Sequence, residues 1–236
     1  MSTSLPILPK STATLNRVGL GTLLAALLAL VSSCSILPAP ETLAIYQLPP
    51  PSIAPAAQTD QLPQRPLTLH ISKPDSGRMT DTQRVLILQP DNRISAYKGA
   101  RWSDSPPALL RNQLTSAFRA DGRLSVVSDT NVNLRRDLEL SGELYSFHVE
   151  YVGGRPAAVI RFHAVLAQPT RNRVITSRGF ETRQPVEGKG MPEIVAAFGK
   201  GADTVARQII DWTIQHGGAI QADQADAEAS REALNK

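Results

Sequence analysis

Apolar positions along this chain follow three spacings, and each predicts a different kind of element. Val18 to Val31 is a nearly unbroken run of Leu, Ala, Val and Gly. It is too short to cross a hydrocarbon core of about 30 Å, which needs roughly 20 apolar residues. Alternating or short apolar runs at Leu67–Ile71, Arg84–Leu88, Ile94–Tyr97 and Leu124–Val127 predict strands. Pro90-Asp91-Asn92 is the turn that makes a hairpin of the second and third. Leu138–Tyr151 is the longest extended segment, and it changes phase. Leu138, Leu140 and Leu144 share one parity, while Tyr145, Phe147, Val149 and Tyr151 share the other. Either a bulge lies near Gly142 to Tyr145, or the second half buries the opposite face. Ala158–Leu166 directs Ile160, Phe162, Ala164 and Leu166 to one side, and Val174–Phe180 follows as its hairpin partner.

Helical spacing occurs twice. Asp104-Ser105-Pro106-Pro107 is a start signal, Leu110, Leu114, Ala117 and Phe118 recur on one face, and Gly122 ends the helix. The last helix opens at Met191-Pro192-Glu193 and carries Ile194, Phe198, Ala202, Val205, Ile209 and Trp212 at steps of 4, 4, 3, 4 and 3. The predicted fold is α+β, a mainly antiparallel β-sheet with two helices packed on one face.

Prolines are dense from Leu37 to Pro66, which predicts an extended tether interrupted by a first strand at 43–48. At the other end Gly217-Gly218 is expected to stop the helix, leaving a polar tail that is frayed helix or disorder. The expected organisation is therefore a signal peptide at 1–33, a tether at 34–66, one domain at 67–216 and a tail at 217–236.

The compartment is read at Cys34, the single cysteine. Lys10 and Arg17 precede the apolar run, no acidic residue occurs before Glu41, and Ser32-Ser33 supplies a narrow backbone before the thiol. Leu30-Val31-Ser32-Ser33-Cys34 resembles the lipobox of bacterial lipoproteins. The resemblance implies that Cys34 becomes the mature N terminus, with diacylglycerol on its sulfur and a third acyl chain on its amine. Two or more chains give stable anchoring, at about 0.8 kcal/mol per buried methylene. Ser35 stands where Asp favours inner-membrane retention in Gram-negative lipoproteins, so the expected location is the periplasmic face of the outer membrane. No disulfide is available to the fold.

Charge removes one class of partner. The chain has 25 basic and 21 acidic residues. Loss of residues 1–33 takes away Lys10 and Arg17, and no run of five like charges occurs. Nucleic acid is therefore not an expected partner.

The search for catalytic chemistry yields no constellation. His70, His148 and His163 fall in predicted strands and His216 at a helix end, without a carboxylate at metal spacing. There is no Gly-x-Ser-x-Gly elbow. Gly199-Lys200-Gly201 lacks the spacing of a phosphate loop, and close helix–sheet packing accounts better for its glycines. A non-enzymatic protein is expected, with no catalytic or metal residues and no cofactor beyond covalent lipid on Cys34.

Five blocks carry a wider resemblance: Cys34-Ser35-Ile36-Leu37-Pro38, Tyr46-Gln47-Leu48-Pro49, Ile94-Ser95-Ala96-Tyr97, Ala100-Arg101-Trp102-Ser103-Asp104-Ser105-Pro106-Pro107 and Leu140-Ser141-Gly142-Glu143-Leu144. Together the chain resembles the ABC-type transport auxiliary lipoprotein (PqiC-like) family over about Cys34 to Trp212. The resemblance implies an outer-membrane accessory subunit working with an ABC permease, its ATPase and an MCE-domain protein in intermembrane lipid transport. An MCE tube is itself oligomeric, so a matching homo-oligomeric ring is expected.

Tyr97, Arg101, Trp102 and Asp104 are the candidate partner contacts. Arg and Trp are side-chain types enriched in binding hot spots. The alternatives are that Trp102 plugs the gap between helix and sheet, that Arg101 pairs with Asp104, and that Tyr97 is a sheet residue. A second functional reading is a stand-alone periplasmic lipid- or envelope-binding lipoprotein that holds an acyl chain between helices and sheet.

Overall fold

The computed structural model describes residues 43–56, 67–124, 126–130 and 136–234, with side chains described to Gly218. The expected signal peptide and lipobox with Cys34, and residues 35–42 and 57–66 of the expected tether, lie outside the described residues.

Eight strands form one sheet: β1 (Ala44–Tyr46), β2 (Thr68–Ile71), β3 (Arg84–Leu88), β4 (Ile94–Trp102), β5 (Val126–Ser128), β6 (Leu138–Val152), β7 (Arg155–Gln168) and β8 (Arg173–Pro185). Among the described residues two helices, α1 (Pro106–Asp121) and α2 (Met191–Leu234), complete an α+β fold. The long ladders β6–β7 and β7–β8 are antiparallel, as is β3–β4. β6 is the axis of the sheet. One edge pairs with β7 along its length, while the other is shared, β2 pairing at Leu138–Leu140 and β3 at Val149–Glu150. Those two contacts are parallel, as are β1–β4 and β2–β5.

The phase change in β6 is a bulge. Leu144 lies opposite Phe162 and Ser146 opposite Arg161, so Tyr145 is the extra residue, 53% exposed. This lets Leu140, Leu144, Phe147 and Val149 all reach the core despite their opposite parities. The β3–β4 hairpin turns where expected, with Asn92 at φ 64° and its N–H donating to the Gln89 carbonyl at 2.9 Å.

At the start of α1, Ser105 holds the cap position in extended conformation, and its carbonyl accepts from the Ala108 and Leu109 amides. Its hydroxyl makes no cap hydrogen bond to an amide of its own helix, and its nearness to Asp81, followed by that of Lys73, holds the Asp81 carboxyl below the usual carboxylate range. Gly122 closes α1 in the left-handed conformation. The whole stripe of α2 from Ile194 to Trp212 is buried with Leu69, Ile160, Phe162 and Phe180 in one core.

Three sequence expectations are corrected. Helix α2 runs through Gly217 and Gly218 to Leu234 rather than stopping there. Gly217 is buried, and a Cβ on it would come within 2.9 Å of Leu138 Cδ1, so its role is close approach of helix to sheet. Residues 47–56 are packed rather than a free tether: the Ser52 amide donates to Asp203 Oδ2 at 3.0 Å, and the Ala56 amide to the Asp121 carbonyl at 2.9 Å. Gly199 faces that segment rather than the sheet, since a Cβ there would meet Pro49 at 2.9 Å. Gly201 does face the sheet, against Thr182 and Ile160.

Candidate functional site

Strand β4 carries the most recognisable motif of the chain, and its irregular pairing decides where each side chain goes. Leu86 is opposite Ala96, yet Arg84 is opposite Arg101, so extra residues of β4 stand against Val85. Gly99, at φ 66°, provides the left-handed turn this bulge requires. The four candidate residues do not converge on one site.

Trp102 points into the core and is fully buried. Its ring meets Phe147 edge-on at 5.7 Å and Phe198 at 5.3 Å, while those two rings stack at 4.5 Å. It locks β4, β6 and α2 together. Burial removes Trp102 from any surface a partner could touch, which corrects its candidacy as a contact.

Arg101 lies on the opposite face of the sheet, beside Ile45 of β1 and Arg84 of β3. Ile45 is 57% exposed. Like charges directly opposite on neighbouring strands are destabilising, yet neither guanidinium has an ion pair among the described residues. Asp104 does not pair with Arg101. It is exposed, and its Oδ1 accepts the Ser105 amide at 2.7 Å.

Tyr97 turns toward the end of the helix–sheet layer, where its hydroxyl lies 3.2 Å from that of Tyr151 on β6. Burial, followed by this hydroxyl contact, raises the Tyr97 pKa well above the ordinary tyrosine value. Both rings border a cleft of about 630 Å³. The start of β7 supplies Arg155 and Pro156, the segment after β8 supplies Val186 and Lys189, and Ile194 of α2 belongs to the lining. Sequence reasoning found only Tyr97 of this set. Gly153-Gly154 reads simply as a turn, and nothing in the sequence places residues 155 and 189 beside residue 97.

The histidines do not converge. His70 is buried, and its pKa is lowered by desolvation and then by the Arg136 charge. His148 faces Glu150 at 3.0 Å. Among the described residues, no group of three His, Cys, Asp or Glu is placed to hold a metal. No helix among them is long and apolar enough to cross a membrane.

Comparison with known proteins matches residues 46–210 to a family described as the ABC-type transport auxiliary lipoprotein component. The match runs from the last residue of β1 to Ile210, one residue past Ile209 of the buried α2 stripe, and so includes the β4 motif and the cleft. An uncharacterised protein of Bradyrhizobium diazoefficiens is 25% identical over 165 residues, which is 70% of this chain and 43% of that protein. The chain thus spans under half the length of this relative. A crystal structure of a Xanthomonas campestris protein is similar with a TM-score of 0.65 at 24% identity, covering 78% of this chain and 99% of that one. A second uncharacterised structure gives a TM-score of 0.58 at 19% identity, covering 72% and 98%. These two likenesses concern the fold.

Proposed function

Because the chain belongs to the ABC-type transport auxiliary lipoprotein family, we propose that it is the outer-membrane subunit of an ABC/MCE-type intermembrane lipid transport system. In this reading Cys34 anchors it to the periplasmic face of the outer membrane, and the folded domain docks the MCE assembly there. The permease and ATPase act at the other end of the system, and a homo-oligomeric ring matches the MCE tube. The observation that carries the reading is the extent of the family match, which takes in most of the described core.

Arg101 is the proposed docking residue, with Asp104 beside the start of α1. Two arginines opposite each other on neighbouring strands, without an ion pair among the described residues, suit an acidic partner surface, because the partner supplies the opposite charge. Affinity purification of the native lipoprotein from solubilised envelopes should recover the MCE protein, the permease and the ATPase. Arg101→Ala should weaken partner recovery or self-association by about tenfold or more, the scale of an interface hot spot, with little change in melting temperature. Full retention of assembly by the folded variant would remove Arg101 from the interface. Recovery of the wild type without any transport subunit would favour the stand-alone lipid-binding reading, which the cleft beside Tyr97 supports.

A further inference from the structure

The cleft beside Tyr97 combines an apolar wall with cationic side chains and a pair of tyrosine hydroxyls. Its volume of about 630 Å³ lies in the range that holds one small ligand. Its apolar wall comes from Val186, Pro156, Pro185 and Ile194. Ile194 is a buried member of the core, so the cleft is a continuation of the helix–sheet interface that opens to solvent.

The charged lining residues are the basic Arg155 and Lys189 and the acidic Glu187. Arg155 and Lys189 are exposed, and neither has an ion pair among the described residues. Of the charged lining residues, Glu187 already faces Lys200 at 3.4 Å, which leaves the two cations as the charges without an internal partner. The two tyrosine hydroxyls satisfy each other only in part. One donates to the other across 3.2 Å, which leaves one O–H free to donate to a third group. Two cations and a free hydroxyl donor are the chemistry that receives a carboxylate or phosphate oxygen.

We propose that this cleft holds one single-chain amphiphile with an anionic head, its chain on the Val186–Ile194 wall and its head at Arg155, Lys189 and the tyrosine pair. A free anion would leave the apolar wall unused, and a neutral chain would leave both cations unanswered. The proposal deepens the accessory-lipoprotein reading and rests on it for the supply of hydrophobic ligand.

The test uses the mature lipoprotein reconstituted in phosphatidylcholine nanodiscs, with a stearate bearing a mid-chain diazirine as probe. After irradiation, mass spectrometry maps the labelled residues. Label should concentrate on 185–195 and 151–156, exceed that from an uncharged monoacylglycerol of the same chain by about fivefold or more, and resist millimolar inorganic phosphate. Arg155→Gln combined with Lys189→Gln should remove the difference between the two probes, and Val186→Asp should abolish labelling in the cleft. The double variant alters only exposed side chains, so it keeps the test decisive if Val186→Asp does not fold.

Label spread over the surface, equal labelling by the neutral probe, indifference to the double variant, or displacement by phosphate would each overturn the proposal. Loss of cleft labelling with intact recovery of the transport subunits would sink the cleft alone. The reverse outcome would sink the docking reading alone.

Discussion

Gly142 occupies β6 at φ 144°, and a Cβ built there would run into the carbonyl oxygen of His163 on the neighbouring strand β7. Both conditions favour glycine, one conformational and one steric. Gly142→Ala should therefore cost more than about 2 kcal/mol in chemical denaturation, because strand backbone has to move. Gly154→Ala is the control. Its φ is also positive, but it meets open space, so only the left-handed penalty of about 1–2 kcal/mol applies. Equal losses would remove the packing argument. The sequence shows the phase change around Gly142 to Tyr145 but not its cause, since a bulge and a face reversal leave the same parity pattern. Trp102 was equally ambiguous, because an indole between strand and helix suits either a plug or a contact. Burial against Phe147 and Phe198 decides it. The Arg101–Arg84 apposition was hidden because it depends on the β4 bulge at Gly99.

At the scale of elements, both helices were legible because their apolar spacing, cap residues and prolines agree with one another. The stripe on α2 packs on β7 and β8 as its period requires, and Ile209 within it is fully buried. Ile209→Asp should cost several kcal/mol, since it buries a charge with no partner. That is a large part of the stability of an ordinary domain, and cooperative thermal unfolding should be lost or shifted far down. An unchanged melting temperature would mean that the stripe is not the core. The parallel pairs were not legible. Nothing local in β2 or β3 records that they share one edge of β6, because pairing between strands so far apart in sequence is settled by the assembled layer. Gly217-Gly218 misled for a related reason. Glycine serves both to stop a helix and to bring it close to a sheet, and only the proximity of Leu138 tells the two apart.

For the whole molecule, the question is how a chain anchored at Cys34, as proposed, would present this domain. Asp203 accepts the Ser52 amide at 3.0 Å and the Gln113 side chain at 3.1 Å, while Arg207 reaches the Ser52 carbonyl at 3.3 Å. The proline segment is thereby fixed between α1 and α2, and the strand at Ala44–Tyr46 is fixed to β4. Eight residues, 35 to 42, then separate Cys34 from Leu43. Even fully extended, that linker reaches only about 30 Å, so acylation of Cys34 would hold the domain close to the membrane that carries it. Location should accordingly follow the residues around the thiol. Cys34→Ala should leave an unprocessed precursor or a form missing from the outer-membrane fraction, because the acyl chains that hold it are gone. Ser35→Asp should keep the lipid, seen as an unchanged increment in intact mass, but shift the protein to the inner-membrane fraction. A wild-type protein found soluble and unlipidated would overturn the anchor. A Ser35→Asp protein that stays in the outer membrane would leave the anchor standing and remove Ser35 as the address, which separates the two halves of the localisation argument.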